Sequence, residues 1–145
     1  MGNKDITLQV GVKILLKNKA GRYLFLRRSL AKYPEVQGRW DIAGGRIDPG
    51  KDLLTNLQRE VMEETSLKIL GTPKLVAAQD IIIPDKSRHV VRLTYLGNAS
   101  EDEIFLDVSE NDMHKWMTWE EAKAMNDVDI YLRELLEDAS MWLQK

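Results

Sequence analysis

The chain has 145 residues, 43% of them hydrophobic and 30% charged, with a formal net charge of −2; these are the proportions of a single globular domain over residues 1–145 and exclude bulk disorder, collagen-like and coiled-coil chains. It contains no cysteine, which excludes disulfides, thiolate catalysis and Cys-ligated zinc. No apolar run reaches the roughly 18 residues of a membrane helix, and the start MGNKDITLQV has no long apolar stretch, so a cytoplasmic protein without a membrane partner is expected.

In chain order, Ile6–Lys17 is apolar and branched enough for a strand, Asn18–Gly21 is a turn, and Arg22–Arg28 is its hairpin partner. Residues 29–38 read as a loop, and Trp40–Ile47 as a short strand broken at Gly44–Gly45. Asp52–Thr65 reads as a helix. Leu75–Ile83 and His89–Leu96 read as strands around the turn at Pro84–Ser87. Trp116–Thr118 is a short strand, and Thr118 with Glu121 forms a capping box for a helix near Trp119–Met125. A last helix spans about Val128–Leu143, with Ile130, Leu132, Leu135, Leu136, Ala139 and Leu143 apolar. This order predicts an α/β (α+β) fold with a mixed sheet between helices.

The segment Lys51–Leu67 carries the chemical signal. On a wheel of about 100° per residue with Leu53 at the origin, Leu57 falls at about 40° and Val61 at about 80°, defining the inward stripe. Glu60 at about −20° and Glu64 at about 20° share that stripe, and Glu63 lies beside them at about −80°. Half-buried acids cost several kcal/mol unless compensated, and converging acids also repel each other. A hard divalent cation removes both penalties. Pairing of Arg59 with Glu63 and of Glu64 with Lys68 accounts for Glu63 but leaves Glu60 and Glu64 unexplained. Just ahead, Gly44–Gly45 allows close approach of a ligand and offers a backbone carbonyl to it. Charge is also uneven: residues 1–46 carry +7 and residues 100–145 carry −9. A basic front half suits a phosphate-bearing ligand and acidic segments suit its metal.

The run from Gly44-Gly45 through Asp48-Pro49-Gly50-Lys51 to Arg59-Glu60-Val61-Met62-Glu63-Glu64-Thr65-Ser66-Leu67 resembles the Nudix box. The flanks resemble the same family: Gly21–Arg28 as a second strand ending in paired arginines, Gly38–Ala43 as the lead into the box, and Trp116–Ala122 as a Trp-apolar-Thr segment opening a short helix. The resemblance implies a MutT-like hydrolase with an αβα sandwich. Its implied reaction is Mg²⁺- or Mn²⁺-dependent cleavage of the pyrophosphate of a nucleoside diphosphate linked to another moiety. The short chain favours a (d)NTP-type or dinucleotide polyphosphate substrate. The expected partner is therefore a small nucleotide, not a long nucleic acid, and the protein is expected to be a monomer or homodimer.

By position, the resemblance gives Gly44, Glu60, Glu63 and Glu64 as metal ligands, with Glu60 and Glu63 also in the reaction and Arg59 steering the acids. Glu110, six residues before Trp116, lies where a further ligand or general base is often found. Arg27, Arg28 and Arg39 suit phosphate oxygens, while Tyr33 and Trp40 suit a stacked base or internal packing. Two positions depart from the pattern: Lys51 replaces the first box glutamate and Ser66 the glycine after the helix. Asp48 or Asp52 is a candidate to replace the acid lost at Lys51, and the turn at Ser66 is expected to use another conformation at modest cost. The departures support an alternative: a catalytically weakened Nudix-fold domain that senses nucleotides or binds protein.

Overall fold

The computed structural model of the protein describes residues 5–138. Strand β1 (Thr7–Lys17) is the spine of a seven-stranded mixed sheet. It runs parallel to β6 (Arg88–Ala99) in unbroken register from Thr7↔Arg88 to Lys17↔Asn98. On its other side it pairs with β2 (Tyr23–Arg28) at one end and with β4 (Ala43–Arg46) through Gly11↔Arg46 to Ile14↔Ala43. Strand β2 also pairs with β3 (Trp40–Asp41) and β7 (Asn111–Met117). Strand β5 (Ile69–Ile83) pairs with β6 and forms an edge.

Strand alternation divides the core. Val12, Ile14 and Leu16 pack with Leu57 and Val61 of α1 (Leu53–Thr65). Leu15 packs with Ala122 of α2 (Trp119–Lys123) and with Leu132 and Leu136 of α3 (Ile130–Asp138). The sheet therefore lies between helices, as expected. Leu57 is fully buried beneath it, and its truncation to alanine would cost about 2–5 kcal/mol.

Several boundaries differ from the expectation. The interruption in the Trp40–Ile47 strand falls at Ile42, where the chain leaves β2 and joins β1, and Gly44–Gly45 lie inside β4. Strands β5, β6 and β7 extend further because strand pairing carries residues of weak local preference. The Pro84–Lys86 turn is a short 3-10 helix. The capping box of Thr118 and Glu121 is present in full. In α3, Leu132, Leu135 and Leu136 are buried but Ile130, at its first position, is exposed; Ala139 and Leu143 lie outside the described residues.

Helix α1 begins where the Asp52 carboxylate accepts a hydrogen bond from Thr55 N at 2.7 Å. It ends at Ser66, whose φ of 66° is left-handed and whose N–H donates to Met62 O at 3.0 Å. Ser66 thus keeps the glycine-type turn instead of replacing it, at a cost of about 1–2 kcal/mol for the crowded Cβ.

Candidate active site

Helix α1 faces β4 across the two glycines. Gly44 has φ 138°, and a Cβ there would lie 2.0 Å from Val12 O, so only glycine lets β4 lie this close to β1. A Cβ on Gly45 would lie 2.6 Å from a Glu60 carboxylate oxygen, so Glu60 occupies the space that the missing side chain leaves. Gly44 N donates to Glu64 Oε1 at 2.8 Å, and Asn111 Nδ2 donates to Glu64 Oε2 at 3.1 Å. The inward placement read from the wheel therefore holds for Glu60 and Glu64.

Burial raises the carboxyl pKa of both acids. Glu64 is pushed up to about 7, with Lys13 and the Gly44 N–H opposing the shift and Glu60 reinforcing it. Glu60 is raised by burial against the pull of Arg59. Glu63 differs: its side chain is 58% exposed and lies 3.5 Å from Arg59 Nη1. Among the described residues no three Asp, Glu or His side chains converge on one point. Of the expected metal ligands, Glu60 and Glu64 meet the Gly44–Gly45 segment, while the Glu63 side chain is turned to solvent beside Arg59. Such a set suits a divalent cation that keeps several waters and completes its shell with substrate phosphates.

Arg59 is well held although the box acid is missing. Its Nη1 donates to Glu60 Oε1 at 2.9 Å and its Nη2 to Asn56 Oδ1 at 3.0 Å, while Asp48 Oδ2 lies 3.6 Å from its Nε. Of the two candidate acids, Asp48 is the one near Arg59, at ion-pair distance and without a hydrogen bond to Nε, while Asp52 caps the helix. Asn56 is fully buried; it also accepts from Asp48 N and donates to the carbonyls of Lys51 and Asp52. Lys51 contributes that carbonyl while the residue itself is exposed.

A cleft of about 600 Å³ opens beside these residues, lined by both Gly44 and Glu64 and by Lys13, Arg28, Arg92 and Tyr33 among others. Beneath it lies a second set of charges. Asp41, only 2% exposed, receives Arg92 Nη2 at 2.8 Å and Nη1 at 3.1 Å, Arg28 Nη2 at 2.8 Å, and its neighbour Ile42 N at 2.8 Å. Burial alone would raise the Asp41 pKa, but Arg92, Lys13 and Arg28 hold it far below the carboxylate range. Asp129 accepts from Tyr131 N and Leu132 N at the start of α3 and from Arg92 Nη1 at 3.3 Å.

The remaining expected residues divide between cleft and elsewhere. Arg28 and Glu110 line the cleft; Arg27 and Arg39 do not, and both grip Asp112 at 2.7 Å. Trp40 does not line the cleft either. It is 7% exposed and packs with Leu15, Phe25 and Leu132, with Arg27 and Lys115 over its ring, so its role is core packing. Glu110 receives Lys32 Nζ and, at 2.6 Å, Tyr33 O–H. Burial raises the Glu110 pKa, but those two hydrogen bonds outweigh it and leave the group below its ordinary value. Sequence reading missed Lys13, Asp41, Arg92, Asp129, Asn56 and Asn111. Its available signal was a lone charge inside an apolar strand, as in VGVKILL and HVVRLTYL.

A family model described as the NUDIX domain matches residues 7–139. The chain belongs to the Nudix family. Among solved structures it resembles a MutT protein from Methanosarcina mazei Go1, with 23% identity, 97% of this chain and 98% of that one covered, and a TM-score of 0.80. It also resembles a MutT Nudix hydrolase from Burkholderia pseudomallei at 22% identity, with coverages of 92% and 99% and a TM-score of 0.77. A third is a C. elegans Ap4A hydrolase at 22% identity, with coverages of 94% and 98% and a TM-score of 0.71. At these identities the likeness is one of fold. In this chain's Nudix box, α1 and the Gly44–Gly45 segment of β4 bring Glu64 to the cleft and Glu60 against Gly45, and Asn56, with Asp48 nearby, holds Arg59 where the box glutamate is missing.

Proposed function

We propose that this Nudix protein is a divalent-cation-dependent hydrolase. Its proposed reaction is cleavage of the pyrophosphate of a nucleoside diphosphate linked to another moiety, with (d)NTPs or dinucleotide polyphosphates as favoured substrates. The observation that carries this reading is Glu64, held by Gly44 N–H at the wall of a cleft that also holds Lys13, Arg28 and Arg92, with Glu60 packed against Gly45 beside it. Mg²⁺ or Mn²⁺ would be held by Glu60, Glu64 and the Gly44 carbonyl. When bound it supplies charge neutralisation of the phosphate oxygens and activation of water.

The chain's own residues do the rest. Gly44 N–H and Asn111 fix the Glu64 carboxylate, so it needs no reorganisation when substrate enters. Arg59 orients Glu60. Arg28 presents a guanidinium to the phosphates from the cleft wall. Glu110 lies on the same cleft, and release from Lys32 and Tyr33 would free its carboxylate to accept a proton. No helix of the described residues is long and apolar enough to cross a membrane. We place the reaction on soluble nucleotides in the cytoplasm, by a monomer or homodimer.

The test is phosphate or pyrophosphate release over a panel of nucleoside triphosphates and dinucleoside polyphosphates, with Mg²⁺, Mn²⁺ or EDTA. Turnover that needs the cation and falls at least about a hundredfold in Glu64→Gln supports the reading. Tight nucleotide binding without turnover by the wild type would instead favour the sensing domain.

A further inference from the structure

Lys13 is the one charged residue in the stretch Gly11–Leu16 of β1, where its neighbours are buried. Its side chain is 16% exposed. The ammonium lies 3.2 Å from Ile42 O, 3.4 Å from Gly44 O and 3.5 Å from Asp41 Oδ2. The ammonium donates to two carbonyls and pairs with one carboxylate, so it is anchored by the protein. Lys13 is therefore read as a positioning residue. One of its three oxygens is the Gly44 carbonyl, whose second lone pair is the one left for a metal. Its charge also acts on both Glu64 and Glu60.

The placement is built into the sheet. Lys13 is in register with Gly44 on β4 and with Thr94 on β6. A Cβ on Gly44 would lie 2.7 Å from Lys13 Cα, so glycine there is what brings the carbonyl within reach of this side chain. Arg92 and Arg28 also donate to Asp41, so Lys13 is one of three cations around that carboxylate. The lysine therefore serves both the floor of the cleft and its glutamate side.

We infer that the Lys13 ammonium is a resident cation of the site, tethered at the Gly44 carbonyl on the cleft wall that also carries Glu64, and that it sets how tightly a divalent ion binds there. It compensates Glu60 and Glu64 while no metal is bound and repels the metal when one arrives. The inference rests on the divalent-cation reading of the site but not on turnover.

The experiment is titration with Mn²⁺ alone, followed by electron paramagnetic resonance and calorimetry, on the wild type, Lys13→Met and Lys13→Arg. Removing the charge should tighten Mn²⁺ binding by about tenfold or more, while the arginine variant stays near the wild type. A merely structural loss cannot tighten binding. If Lys13→Met does not fold, by circular dichroism, Lys13→Gln carries the same expectation. Equal or weaker binding by the neutral variant overturns the inference, as does absence of Mn²⁺ binding in both proteins. Failure of the proposed reaction reads differently: Mn²⁺ bound as expected, but no phosphate released from any nucleotide.

Discussion

Two sets of buried acids border the same cleft, and burial acts on them with opposite results. Asp41 has two guanidiniums and an ammonium around it, and its carboxyl stays ionised well below the usual range. Glu64 has two neutral donors and a more distant lysine, and its carboxyl is pushed up to about 7. The difference is not depth but the supply of positive charge. The Asp41 carboxylate is matched by cations of the protein itself, whereas the glutamate pair leaves room for a cation to improve it.

The sharpest way to break this contrast is Arg92→Met. It would leave Asp41 and Asp129 buried with less compensation and should cost about 3–5 kcal/mol in urea denaturation; a loss below about 1 kcal/mol would mean that Arg28 and Lys13 suffice. Glu64→Gln should act in the opposite direction. The native pKa of Glu64 lies above its unfolded value, so the folded state binds the extra proton between about pH 4.5 and 7, and stability falls as pH rises through that window. In EDTA the variant should therefore gain up to about 3 kcal/mol over the wild type at pH 8 and nothing near pH 4. For Asp41 the sign is reversed: its contribution is full above the unfolded carboxylate pKa and is lost as pH falls below it.

Mg²⁺ at about a hundred times its Kd should stabilise the wild type by about 2.7 kcal/mol, and thermal melts that superimpose with EDTA and with Mg²⁺ would contradict the cation site. The smallest effect belongs to Lys51→Glu. Because Asp48 and Asn56 already engage Arg59, stability should move by less than about 0.5 kcal/mol and kcat/KM by less than about threefold. A tenfold change in either direction would show that position 51 meets substrate or metal.

The glutamate half of this contrast was legible in the sequence because it lies on one helix, where a period of 3.6 converts spacing directly into facing. Glu60 and Glu64 followed from Leu57 and Val61 alone. Glu63 was also placed by spacing, since its i,i+4 pairing with Arg59 accounts for its exposed position. The Asp41 half was not legible. Its members come from β1, β2, β3, β6 and the start of α3, and strand alternation says which side a residue takes but not which strand will lie beside it. Trp40 shows the same limit. An aromatic ring beside a glycine-rich segment suits a nucleobase as well as a core, and only the docking of α3 decides for the core. The exchange at Lys51 was open because Asp48 and Asp52 are equally near it in sequence; the helix cap uses one and leaves the other for Arg59.

The parallel pairing of β1 with β6 also has a consequence for how the molecule is made. Thr7 meets Arg88 and Lys17 meets Asn98, so the central strand must wait for a partner from the far half of the chain. The hairpin of β1 with β2 can form early from neighbouring residues, but Arg92 reaches Asp41 across 51 residues and arrives only with β6. Contacts of such long range slow folding, because the intervening loop must close before any of them stabilises it. On the ribosome the first half of the domain therefore emerges with Asp41 ionised and lacking Arg92, and the cleft acquires its floor when the sixth strand docks.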